Sequence, residues 1–133
     1  MPSKPKIITF LIADNVMQEK GSNKWSAIGI FDRIHASKFP TLHTNMALYM
    51  KLSDAEGEYY IRIEFVDSDG RKLSIFEGIK LRVGSKLNHP DFGIRAQNLM
   101  IPKPGKYHFD LYFNNELCES YPLIAEERGK PNV

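Results

Sequence analysis

Histidine, cysteine and clustered carboxylates are the side chains through which this chain could do chemistry. Its four histidines, His35, His43, His89 and His108, show no HxH or HExxH spacing. A metal site normally declares itself by two ligands close in sequence, so no metal and no cofactor is expected. Cys118 is the single cysteine. As a nucleophile it would need a neighbouring base and an oxyanion donor, and His108, on the preceding strand, is the one candidate base. A passive, half-buried thiol is the simpler reading. Asp67–Gly70 (DSDG) has the opening of a calcium loop without the later ligands or the closing glutamate, and a hairpin turn explains it better. GxSxG, P-loop and GxGxxG patterns are absent from the sequence.

Binding chemistry is better represented. Asp32 and Arg33 interrupt an apolar stretch and His35 follows them. Such charges are rarely left unpaired, so they either meet partners on neighbouring strands or line a binding edge. Tyr60, Arg62 and Glu64 alternate along one segment, and His108, Asp110 and Tyr112 along another. If the two strands are neighbours, these side chains share a face. Tyrosine with arginine is typical of protein contacts and of glycan platforms, and the plain alternative is solvated sheet decoration. The candidate binding surface is therefore Asp32, Arg33, His35, Tyr60, Arg62, His108, Asp110 and Tyr112.

These residues must be held by strands. Residues 24–40, KWSAIGIFDRIHASKFP, carry the only tryptophan and a run apolar on both faces up to Asp32. That pattern predicts a central strand buried on both sides at its start. Residues 7–13 (IITFLIA) read as a strand forming a long hairpin with residues 24–36, not as a signal peptide. Residues 43–52, 58–66 and 106–113 alternate apolar with polar, and residues 73–83 form the return strand after DSDG. Glu77 and Gly78 break that return strand and predict a bulge. Residues 84–93 read as a loop, with a short strand near 96–101. Asn114 and Asn115 close a tight hairpin into residues 117–125, where Pro122 predicts an edge or a bulge. The core is expected to bring Ile28, Ile30, Phe65, Phe109 and Leu111 together.

No amphipathic helix emerges. About eight short strands with turn signals at roughly ten-residue spacing indicate an all-β, antiparallel β-sandwich of immunoglobulin or fibronectin-III type. Tyr107 follows a Pro-Gly corner and heads an alternating strand, as a tyrosine corner does, with residues 99–102 as the expected acceptors. Residues 1–126 are expected to form one domain and 127–133 a flexible tail.

GIFDRI (29–34) before FP (39–40), EGEY (56–59), VDSDGR (66–71) and PGKYHF (104–109) together resemble a family of small bacterial proteins of unknown function. The resemblance implies a β-sandwich and supplies no catalytic residues.

A net charge of +2 with basic and acidic residues interspersed lacks the basic patch of a nucleic-acid protein. No stretch approaches the length of a membrane-spanning helix. A lone cysteine suits a reducing, cytoplasmic setting. The expectation is a non-enzymatic module that binds another protein or a second copy of itself, since the 7–13 strand offers an unblocked edge. The alternatives are a small-molecule or glycan binder using the Tyr60/Tyr112 face, and an enzyme whose site is assembled from distant loops.

Overall fold

The computed structural model describes residues 3–128. Among these the chain forms strands and no helix: β1 (Lys6–Gln18), β2 (Trp25–Ile30), β3 (Arg33–Ala36), β4 (Thr41–His43), β5 (Ala47–Ser53), β6 (Gly57–Val66), β7 (Lys72–Val83), β8 (Asp91–Arg95), β9 (Leu99–Ile101), β10 (Gly105–Phe113) and β11 (Glu116–Glu127). One sheet has the order β2-β1-β5-β8, a second β3-β11-β10-β6-β7, and β4 and β9 form a small ribbon. Pairing is antiparallel except between β11 and β3. The eleven strands exceed the eight expected because residues 24–40 split between two sheets and two short strands, β4 and β8, arise from stretches without a clear period.

Both larger sheets feed one core. Leu48, Met50 and Leu52 enter it from β5, Ile61, Ile63 and Phe65 from β6, and Phe109 and Leu111 from β10. Period-two alternation produces this directly, since every second residue of β6 and β10 points inward. Phe10 of β1 closes the gap between the sheets, stacked on Tyr121 at 4.3 Å and tilted against Phe109 at 6.2 Å.

Residues 24–40 are not the buried centre of the fold. β2 is an edge strand, and Ile28 and Ile30 are 54% and 63% exposed, while Phe65, Phe109 and Leu111 are fully buried. The reason is a change of partner at Ala13: β5 runs against Lys6–Ala13, and β2 against Ala13–Gln18. The second half of that hairpin packs one face only. Val16, Trp25 and Ala27 join Ala47 and Tyr49 in a separate small cluster. A Cβ on Gly93 of β8 would sit 2.6 Å from a Val16 methyl carbon and 2.7 Å from the Trp25 ring, so β8 passes beneath the tryptophan only as glycine. Ile28 and Ile30 face the other way, to solvent.

The turn chemistry follows the sequence. Asp67 accepts the Asp69 and Arg71 amides at 2.9 and 2.8 Å and closes the β6–β7 hairpin. Asn114 and Asn115 take φ of 53° and 66° in the β10–β11 turn. β7 carries an extra residue between Ile79, opposite Ile61, and Phe76, opposite Ile63, which is the bulge at Glu77–Gly78. It turns Phe76 toward the core and leaves Ile75 51% exposed. Tyr107 Oη donates to the Lys103 carbonyl at 2.5 Å, one residue beyond the expected acceptors. Pro122 lies where β3 no longer covers β11, because β3 reaches only Ile124–Glu127. Glu127 ends β11 and the Arg128 amide bonds Ala36. The rest of the expected tail, 129–133, lies outside the described residues.

Candidate functional site

Seven of the eight residues singled out in the sequence share one face, the side of β3-β11-β10-β6-β7 turned away from the core. Registers place them: Tyr112 opposite Arg62, Asp110 opposite Glu64, Arg33 beside Ile124, which is itself opposite Lys106. Their inward neighbours Ile34, Tyr59, Ile61, Phe109 and Leu111 are buried, which fixes the outward direction of the rest. Asp32 is the exception. It sits at the crossover from β2 to β3, where its carbonyl accepts the Ile124 amide at 3.0 Å.

At the hairpin end of the face, the Arg62 guanidinium stacks over Tyr112 at 4.2 Å. Its Nε donates to Glu64 Oε2 at 3.0 Å and its Nη1 to Asn115 Oδ1 at 2.7 Å. Glu64 is 2% exposed and also meets Lys72 at 3.4 Å, yet among the described residues its Oε1 has no partner. Arg62 therefore occupies one face of the Tyr112 ring, the surface on which a sugar would stack. Tyr60 stays open at 59% exposure, with Lys80 5.6 Å from its ring centre.

The opposite corner holds Arg33 and His35, both paired with Glu126. Between the corners, Asp110 accepts from Ser120 at 2.5 Å and lies 3.5 Å from His108 Nε2. The rows of Lys106 and Tyr112 are six residues apart on β10, or about 20 Å at strand rise. The structure thus gathers these residues on one face as two clusters joined by a polar bridge.

His108 and Cys118 do not form a pair. His108 stands opposite Pro122 on the outer face, whereas Cys118 lies in the bulge near Leu111 and Tyr112, packs against the core and points its Sγ at the Pro5 carbonyl, 3.9 Å away. Burial pushes the thiol pKa up, away from nucleophilic thiolate. Among the described residues, no three of His, Cys, Asp and Glu converge in a way that could hold a metal ion. On the first sheet, Tyr49 donates to Asp91 at 2.5 Å; its burial, then that bond and the nearby carboxylate charge, raise its pKa far above the ordinary phenol value. That arrangement holds β8 to β5 and does not activate the phenol.

Sequence reading missed two members of the face. Ile75, opposite Glu64, and Leu117, opposite Tyr112, are 51% and 49% exposed and flank the Arg62–Tyr112 stack. Each follows from a bulge, in β7 and in β11, that shifts the alternation by one. The Glu77-Gly78 pair signals the first; β11 offers no comparable mark.

Residues 8–126 match a family described as a family of unknown function (DUF6941). The chain belongs to that family. The DUF6941 match takes in all eight candidate residues, the Tyr107 corner and all but the first two residues of β1 and the last of β11 in the two large sheets. No curated protein matches this DUF6941 chain. No helix among its described residues is long and apolar enough to cross a membrane.

Proposed function

We propose that this chain is a non-enzymatic β-sandwich of immunoglobulin-like type that holds another protein against the outer face of β3-β11-β10-β6-β7. Two sheets sharing one core, a tyrosine corner at the head of β10 and a strand that crosses between sheets to lie parallel to β11 support the fold assignment. The observation that carries the functional reading is the spread of the site. Two Arg-centred clusters lie about 20 Å apart on one face, a span that a protein interface of about 800 Å² per partner covers and a single small ligand does not. Tyr60, Ile75 and Leu117 supply exposed apolar surface around the Arg62–Tyr112 stack, the mixture of aromatic, aliphatic and arginine groups from which interface centres are built. A reducing, cytoplasmic setting belongs to the same reading, from the lone Cys118.

The test is affinity capture from the source cell with three baits: the native chain, Arg62→Glu, and Met17→Ser as a control on the other side of the molecule. The expected result is a protein retained in stoichiometric amount by the native and Met17→Ser baits and lost with Arg62→Glu. A protein retained equally by all three, or none retained in stoichiometric amount, contradicts the reading.

A further inference from the structure

Among the described residues, the first half of β1 has a strand partner on one side only. β5 runs along Lys6–Ala13, while β2 covers β1 from Ala13 onward. The last backbone bond on the β2 side joins the Phe31 amide to the Ile12 carbonyl at 2.9 Å, after which the chain leaves for β3. Among the described residues, no strand pairs with residues 6–11 on the side away from β5. A groove of about 450 Å³ follows this edge, walled by Phe10, Ile12, Phe31 and Tyr121. Ile30, 63% exposed, lines it too, and Ile8, two residues before Phe10 on the same strand, is 50% exposed.

Open edges are normally blunted by charge, proline or a bulge. β7 carries Lys72, Lys80, Arg82 and the Gly78 bulge. The uncovered stretch of β11 carries Pro122. Between Ile7 and Ala13, β1 has no charge and no proline, and its one blunting feature is the bulge that inserts Ile8 between Ile7, opposite Leu52, and Thr9, opposite Lys51.

We infer that this edge pairs with the same edge of a second copy, antiparallel about a two-fold axis. Charge selects that occupant. The edge is basic where it begins, at Lys4 and Lys6, and acidic where it ends, at Asp32, which lines the groove beside Ile12. An antiparallel two-fold sets each copy's lysines against the other copy's Asp32, so the edge is complementary to itself; a parallel pairing sets like charges together. The Ile8 side chains and the groove walls lose water in the same step. Apart from Asp32, which sits at the β2–β3 crossover and off the outer face, this surface uses none of the candidate binding residues, so either assignment can fail without the other.

Sedimentation equilibrium on the full chain tests the inference, with circular dichroism to show that each variant is folded. The native chain is expected to dimerise in the micromolar range. Lys6→Glu and Asp32→Lys, both at exposed positions, should each weaken the dimer about three- to tenfold, since each contact occurs twice under the two-fold. The double variant should recover most of the loss, and Ile8→Lys should leave a monomer. A native chain that stays monomeric at the highest soluble concentration overturns the proposal. So does a dimer indifferent to the edge variants, or single-variant losses that add rather than cancel; a dimer lost only with Arg62→Glu would move self-association to the other face.

Discussion

The Arg62 guanidinium lies 4.2 Å over the ring of Tyr112, its partner residue on the next strand. That contact fixes the arginine where its Nε also meets the buried Glu64. Removing the arginine leaves Glu64 with Lys72 alone, an under-compensated carboxylate at 2% exposure. Arg62→Ala should cost about 1–3 kcal/mol. Glu64→Gln keeps the shape and removes the charge, so the double variant should be less destabilised than the sum of the singles. Urea midpoints of the four proteins measure this, and simple additivity would show that the two side chains are not coupled.

Tyr107 is 1% exposed, and its hydroxyl bonds both the carbonyl and the amide of Lys103. Tyr107→Phe keeps the ring stacked on Phe65 and leaves those two backbone groups without that partner. The expected loss is about 1–2 kcal/mol. An unchanged denaturant midpoint would mean that the corner contributes nothing to stability.

Gly93→Ala places a methyl against Val16 and the Trp25 ring, at 2.6 and 2.7 Å. The hairpin arm must lift, at a cost of about 1–3 kcal/mol. Trp25 is the only tryptophan, so its fluorescence reports the event directly. Emission should shift to the red as the ring leaves the Tyr49 cluster, and an unshifted spectrum with native stability would contradict the packing described.

Asp67 gives a pH signature. The Arg71 amide foremost holds its carboxyl below the usual aspartate range; burial opposes it, and the Asp69 amide adds a lesser lowering. A group whose pKa is depressed by folding adds stability that is complete above its unfolded value, about 3.9, and disappears as pH falls through the folded value. The stability difference between the native chain and Asp67→Asn should therefore be constant near neutrality and shrink below about pH 4. A difference that persists unchanged to pH 2 would place the effect in something other than the charge.

Much of the second sheet was legible because β6 and β10 alternate without interruption, so Phe65, Phe109 and Leu111 could be assigned inward and Arg62 and Tyr112 outward from period alone. The turns at Asp67 and Asn114 were legible because their side chains and permitted φ values do the turning. The placement of residues 24–40 was not. Ile28 and Ile30 are apolar in a strand covered on one side only, and nothing local distinguishes that strand from a central one. What decides it is the change of partner at Ala13 and the fit of Trp25 over Gly93, a contact between residues 68 positions apart. The face itself was legible residue by residue, but Ile75 and Leu117 were hidden by bulges that shift the alternation by one.

Hydroxyl-radical footprinting of the chain bound to its captured partner tests the central claim most directly. Tyr60 and Tyr112 report on the proposed face, while Met17 and Met100, 45% and 49% exposed, lie outside it. Complex formation is expected to protect Tyr60 and Tyr112 from oxidation and to leave both methionines as reactive as in the free chain. Protection of Met17 or Met100 with Tyr60 still fully reactive would contradict it.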